Sequence, residues 1–187
     1  MSKQSADKQA DHNKAYRQLV ELAQRYTDNA RSLPAQIDVT PTRSVVCFHL
    51  LGHPVAILLE EISELFEVPH CTRLPRVKPW VRGVANVRGR LTPIIDFASF
   101  LGGRLQSVPK RQRVLLVERE GIAAGLIVDD VVGMKHFRVD AYSERREVVP
   151  PRLARFVPGT FLNDGEHWAL FRPEALFGHE EFLAVAA

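Results

Sequence analysis

The sequence predicts a mainly β protein, built as barrels or a sandwich, on three observations. Short runs of β-branched and apolar residues recur at regular spacing along most of the chain. Tight-turn residues separate them, and Asn163-Asp164-Gly165 is the strongest short-range hairpin signal present. The strands do not alternate with long helical segments, as βαβ units would require, and no helical repeat of fixed period occurs.

Taken in order, residues 1–12 are polar and are expected to be disordered. Residues 13–33 space Leu19, Leu22, Ala23, Tyr26, Ala30 and Leu33 at helical intervals, which predicts an amphipathic helix ended by Pro34. Its apolar stripe is expected to pack on the rest of the chain, the other reading being a helix that recognises a partner's groove. Residues 43–51 read as a strand, and Gly52-His53-Pro54 as its turn. Residues 55–68 read as one long strand, although four glutamates would also suit a helix face. Residues 73–80 are a proline-marked connection. Residues 83–97 form a hairpin about Arg88-Gly89-Arg90, where Gly89 takes φ > 0 without steric cost. A short helical turn follows, closed by Gly102 and Gly103. Three strands fill residues 113–139, a polar loop covers 139–152, and residues 155–162 and 166–171 are two more strands. Residues 172–187 read as a C-terminal helix.

The bulk composition fits this. The chain has 187 residues, 45% hydrophobic and 25% charged, with a net charge of +3. That suits one domain with a core and an extra arm, and so mild a basicity does not by itself imply nucleic acid. The two cysteines, Cys47 and Cys71, come without an apolar signal region and read as reduced thiols. No apolar run approaches the roughly 18 residues of a membrane helix. The expected compartment is the cytoplasm.

No catalytic constellation emerges. There is no glycine-rich phosphate loop and no G-x-S-x-G elbow. The cysteines are too far apart for a C-x-x-C ligand pair. His49 and His53 stand four residues apart, but Gly52 and Pro54 break the helix that such spacing needs to bind a metal. His70 and Cys71 are adjacent on an extended segment and point apart. Asp129 and Asp130 fit a strand terminus better than a carboxylate pair. Arg73, Arg76, Lys78, Arg82, Arg88 and Arg90 form a basic run around Trp80 with no acid among them. A barrel with such a stripe can bind single-stranded nucleic acid, and that reading stays open beside the adaptor reading below; the single interleaved aromatic and the glutamates upstream speak against it. An enzyme with a site invisible to motifs also stays open. No metal or cofactor is expected.

The segments "ISEL" (62–65), "RLP" (73–75), "GVANVRG" (83–89), "PIIDF" (93–97), "LG" (101–102) and "GLIVDDVVGM" (125–134) together resemble the CheW family of chemotaxis adaptors. The combined order and spacing is specific, although each piece alone is weak. The "SLPAQ" segment at 32–36 and the "DGEHWALF" ending resemble the branch that serves type IV pilus (twitching) chemosensory systems. The resemblance implies two small five-stranded β-barrels around a shared core, with an N-terminal and a C-terminal helix. It implies a non-enzymatic adaptor between the cytoplasmic tip of a methyl-accepting chemoreceptor and the regulatory domain of a CheA-like histidine kinase. The implied division is an N-terminal arm over 1–42, a CheW-like domain over 43–178 and a C-terminal tail over 179–187. The implied receptor groove is lined by Ile62, Glu64, Gly83 and Arg88, with Glu64 and Arg88 paired. An arginine there would meet the carboxylate with two hydrogen bonds. Asn86 and Gly89 are expected to serve the turn, Asn86 by hydrogen-bonding nearby backbone. Phe97 departs from the family's usual Leu.

Overall fold

The computed structural model describes residues 16–25, 40–146 and 148–185. The chain divides into two units, residues 1–39 and 40–187. In the first, residues 16–25 form helix α1, whose Leu19 and Leu22 are exposed, with Arg25 and Glu21 paired at 3.6 Å. Tyr26, Ala30 and Leu33 lie outside the described residues, as do residues 1–12.

The second unit holds two mixed sheets. One has the order β8-β1-β2-β11-β10-β9, from β1 (Thr42–Leu50), β2 (His53–Leu58), β8 (Asp130–Arg138), β9 (Tyr142–Ser143), β10 (Thr160–Asn163) and β11 (Glu166–Phe171). The other has the order β3-β6-β7-β5-β4, from β3 (Glu64–Glu67), β4 (Val81–Val87), β5 (Arg90–Asp96), β6 (Arg113–Arg119) and β7 (Ile122–Val128). The first sheet therefore has six strands where five were expected; the extra one is the two-residue β9.

Four hairpins share one device. Leu51-Gly52, Arg88-Gly89, Glu120-Gly121 and Asp164-Gly165 each form a two-residue loop with positive φ at both positions. That pattern belongs to type I′ turns, whose twist matches the flanking strands. Glycine at the second position accepts φ > 0 freely, so only one residue per turn carries strain.

Both sheets curl. The edges of the six-stranded sheet, β8 and β9, are consecutive in the chain and joined only by the 3-10 turn Val139–Ala141, which brings them together. In the five-stranded sheet the chain just past β3 returns to the other edge: Thr72 and Val84 exchange backbone hydrogen bonds of 2.8 and 2.9 Å.

Three apolar clusters follow from strand alternation. Val45 and Cys47 of β1 point into the six-stranded sheet with Phe137, Phe161 and Trp168. Val46, Phe48 and Leu50 point the other way, into a core shared between the sheets with Phe97, Leu126 and Phe171. Ile94, Val114 and Ile127 fill the five-stranded sheet, with Phe66 against them. Strand β1 is buried on both faces, which is why it reads as a continuous apolar run.

The structure changes several expectations. The long strand over 55–68 is β2, a 3-10 turn Leu59–Glu61 and β3, because the two halves serve different sheets. The C-terminal helix is two short ones, α4 (Pro173–Phe177) and α5 (Glu180–Leu183), separated at Gly178-His179. The loop over 139–152 contains β9 and the first residues of α3 (Pro151–Ala154). Of 155–162, only the part from Thr160 is strand. Phe182, placed in a tail by the sequence, packs into the shared core and stacks on Trp80 at 6.1 Å between ring centres. Trp80 is thus an inward anchor and offers no face to a nucleic-acid base.

Asp96 caps α2 (Phe97–Phe100) by accepting the Ser99 amide at 2.9 Å. Asp129 is buried, and its carboxylate accepts the backbone amides of Gln106 and Ser107, pinning the loop that leads into β6. Asp130 lies within β8 and meets His49 Nδ1 at 2.6 Å. Neither aspartate remains for catalysis.

Candidate functional site

The expected pair forms, across the seam between the edges of the five-stranded sheet. Ser63 donates to the Leu116 carbonyl at 2.8 Å, which sets β3 on β6 and fixes Glu64 at its first position. Arg88 sits in the left-handed region at the β4–β5 turn, with φ 50°. Its Nε lies 2.8 Å from Glu64 Oε2. The contact is an ion pair without an aligned hydrogen bond, so the two-bond fork expected of arginine is not made. The Arg88 side chain is 72% exposed and that of Glu64 25%. A pair so open to water contributes about 0–1 kcal/mol, so its role is shape rather than stability.

The other residues assigned to the groove fall into distinct places. Ile62 is half-buried against the shared core. Gly83 is buried at a bulge in β4, with φ 140°, directly under the backbone of Thr72. Asn86 is exposed on β4 opposite Leu91 and makes no side-chain hydrogen bond to the turn, against expectation. Exposed on the strand, its amide is open to water and needs no partner in the turn. Gly89 takes φ 82° as the turn requires. Leu65 and Leu91, beside Glu64 and just past Arg88, are exposed, Leu91 by 79%.

Two features escaped the sequence reading. Val132 and Met134 project as an exposed row from edge strand β8, while Phe137 turns inward. The alternation of "VVGMKHF" was the available signal. Arg172 Nε donates to Glu61 Oε1 at 2.7 Å, a contact between residues 111 apart that no local pattern reveals.

Burial holds the Glu61 carboxyl above its ordinary value of 4.5, and Arg172 opposes the shift. A raised carboxyl stabilises the fold below its unfolded value, and that contribution is lost as pH rises through the folded value. Thermal melts of the native chain and Glu61→Gln should therefore shift relative to each other. The variant should gain on the native chain as pH rises from about 4 to about 7. A difference constant across that range would mean that Glu61 titrates alike in both states.

Burial disfavours the thiolate form of both cysteines. Burial pushes Cys47 up to about 11, and Cys71 is also raised by burial while its Sγ donates to the Pro69 carbonyl. Among the described residues, no three His, Cys, Asp or Glu side chains are grouped to hold a metal. No described helix is long and apolar enough to cross a membrane.

The profile of the CheW-like domain matches residues 44–181. The chain belongs to the CheW-like family. This CheW-like chain is 42% identical to protein PilI of Pseudomonas aeruginosa, over 95% of its own length and 99% of that protein. It is 26% identical to the chemotaxis protein CheW of Bacillus subtilis, over 57% of this chain and 70% of that one. The crystal structure of the scaffolding protein TtCheW from Thermoanaerobacter tengcongensis superposes with a TM-score of 0.63. That likeness, at 23% identity, covers 71% of this chain and 90% of the other, and bears on the fold. The CheW-like chain is a scaffold adaptor of chemosensory signalling and not an enzyme.

Proposed function

We propose that the protein works in the cytoplasm and couples the tip of a methyl-accepting chemoreceptor to a CheA-type histidine kinase. The pathway we assign it to controls type IV pilus twitching motility. The observation that carries the pathway is the similarity to PilI over almost the whole of both chains. The observation that supports the receptor surface is the Glu64–Arg88 pair across an edge seam, with Leu65 and Leu91 exposed on the strands that carry or adjoin it. Exposed leucines near a charge pair are groups that an amphipathic helical hairpin can meet. Exposed Val132 and Met134, on the other sheet, offer a separate apolar face for the kinase. An adaptor of this kind needs no chemistry. It holds two partners in fixed geometry, so that a shift in one biases the equilibrium of the other.

The experiment is a double-mutant cycle on affinity for a receptor-tip fragment. Arg88→Ala and Glu64→Ala should each weaken binding by about threefold to thirtyfold, and the double variant should lose clearly less than the product. Independent losses would mean that the residues do not act as a pair. Full affinity in Arg88→Ala would reduce Arg88 to a turn residue. If neither receptor tip nor kinase domain binds the native chain, the coupling role is overturned.

A further inference from the structure

The connection between β3 and β4 carries charge that its surroundings do not balance. Of the six cations between residues 73 and 90, two are matched: Arg88 by Glu64 and Arg90 by Glu118, at 2.8 and 2.9 Å. Among the described residues, Arg73, Arg76, Lys78 and Arg82 meet no carboxylate. Three of these four, Arg73, Lys78 and Arg82, line one cavity of about 530 Å³ together with His70. Among the described residues, no acidic side chain lines it. Its remaining wall is apolar and includes Val68, Leu74 and Val77. A second cavity of about 580 Å³ shares Val68 and Arg82 and adds Arg104; its one acid, Asp96, is engaged in capping α2.

The backbone that carries these cations is held in place, which keeps their side chains rooted close together. Pro69, Pro75 and Pro79 each fix a backbone φ in this connection. Thr72 is hydrogen-bonded to Val84, the Lys78 amide donates to the Val185 carbonyl at 3.0 Å, and the Val81 amide donates to the Lys78 carbonyl at 2.9 Å. Like charges kept together without a counter-charge repel one another. A dianionic or more highly charged ligand would relieve that repulsion.

We propose that this cavity binds a small organic phosphate of nucleotide size. Arg73, Lys78 and Arg82 hold its phosphates, and Val68, Leu74 and Val77 take its apolar or aromatic part. Guanidinium groups match phosphate oxygens in charge and in geometry. The cavity volume lies within the range of small-ligand sites. A nucleic-acid strand fits less well, because Trp80 is turned into the core and, among the described residues, no other aromatic side chain lines the cavity to stack bases.

The test is calorimetric titration of the full chain at low salt with ADP, with inorganic pyrophosphate, and with single-stranded thymidine oligonucleotides of increasing length. Neither receptor nor kinase is present, so the outcome is separate from the adaptor role. ADP should bind one to one and more tightly than pyrophosphate. Arg73→Ala and Arg82→Ala should each weaken it by about tenfold or more. Arg90→Ala, whose guanidinium is paired with Glu118 and does not line the cavity, should leave it unchanged. Absence of ADP binding at millimolar concentration would overturn the proposal, as would equal affinity in Arg82→Ala. Equal affinity for pyrophosphate would overturn the assignment to organic phosphates. Oligonucleotide affinity that exceeds that of ADP and climbs with length would replace the small ligand with a nucleic acid.

Discussion

Gly83→Ala lowers the melting temperature of the domain by about 6–12 °C, the shift expected for a loss of about 3 kcal/mol in a chain of this size. Two costs add. At φ 140° an alanine enters a region that L side chains rarely adopt, at a cost of about 1–3 kcal/mol. Its Cβ also falls inside contact distance of the Thr72 carbonyl and the Arg73 amide nitrogen, which are backbone atoms and cannot swing aside. Overpacking of this kind costs about 1–3 kcal/mol more. The movement that relieves it breaks the Thr72–Val84 hydrogen bonds and opens the seam that Glu64 and Arg88 span. Thermal denaturation followed by circular dichroism measures the shift. A melting temperature within a degree or two of the native value would mean that the crossing segment yields freely, and that Gly83 does not hold the seam.

Phe97→Ala costs about 3–5 kcal/mol, because it empties a site at the centre of the shared core. Phe97 is fully buried, and its ring centre stands 5.1 Å from that of Phe171. It is also the first residue of α2, so it joins the five-stranded sheet to the apolar layer beneath the six-stranded one. Phe97→Leu, the residue more usual in the resembled family, keeps most of the volume and should cost about 1 kcal/mol. Urea denaturation with unchanged slope separates these outcomes. A leucine as costly as the alanine would show that the site demands an aromatic ring and not merely its volume.

Local rules carried much of the fold into the sequence. The Arg88-Gly89 and Asp164-Gly165 hairpins were readable because two-residue loops leave little choice of turn type. The first turn, expected at Gly52-His53-Pro54, falls at Leu51-Gly52, and His53 and Pro54 belong to β2, because the two-residue loop needs positive φ at both positions and proline cannot supply it. The apolar run of β1 marked it as a strand, but its burial on both faces emerged only with the two sheets packed around it. The break inside residues 55–68 was not visible, because Leu59-Glu60-Glu61 is compatible with both helix and strand, and what separates them is the assignment of β2 and β3 to different sheets. Trp80 illustrates the same limit. Its neighbours in sequence are cations, but its neighbours in space are Phe100 and Phe182. At the site, Glu64 and Arg88 came from the family pattern and stand 2.8 Å apart. Asn86 did not behave as a turn residue, since its exposed amide makes no hydrogen bond to the loop it precedes. Glu61 and Arg172 were out of reach of any local reading.

The order of strands has a consequence for synthesis. The five-stranded sheet uses one continuous stretch, Glu64 to Val128, inserted between β2 and β8. All its strands have been made before any part of β8 exists. The six-stranded sheet is split: β1 and β2 are made first, yet β2 waits for β11, where Val55 pairs with Ala169. During elongation the β1–β2 hairpin therefore stands with both edges open, while the inserted sheet behind it can already close. Long-range pairings form slowly, and unpaired apolar edges invite association with other chains. A nascent chain stalled before residue 130 holds the strands of one complete sheet and one exposed hairpin, so the hairpin is where a chaperone would be expected to bind it; once β8 is made it covers the β1 edge, and the β2 edge stays open until β11 follows.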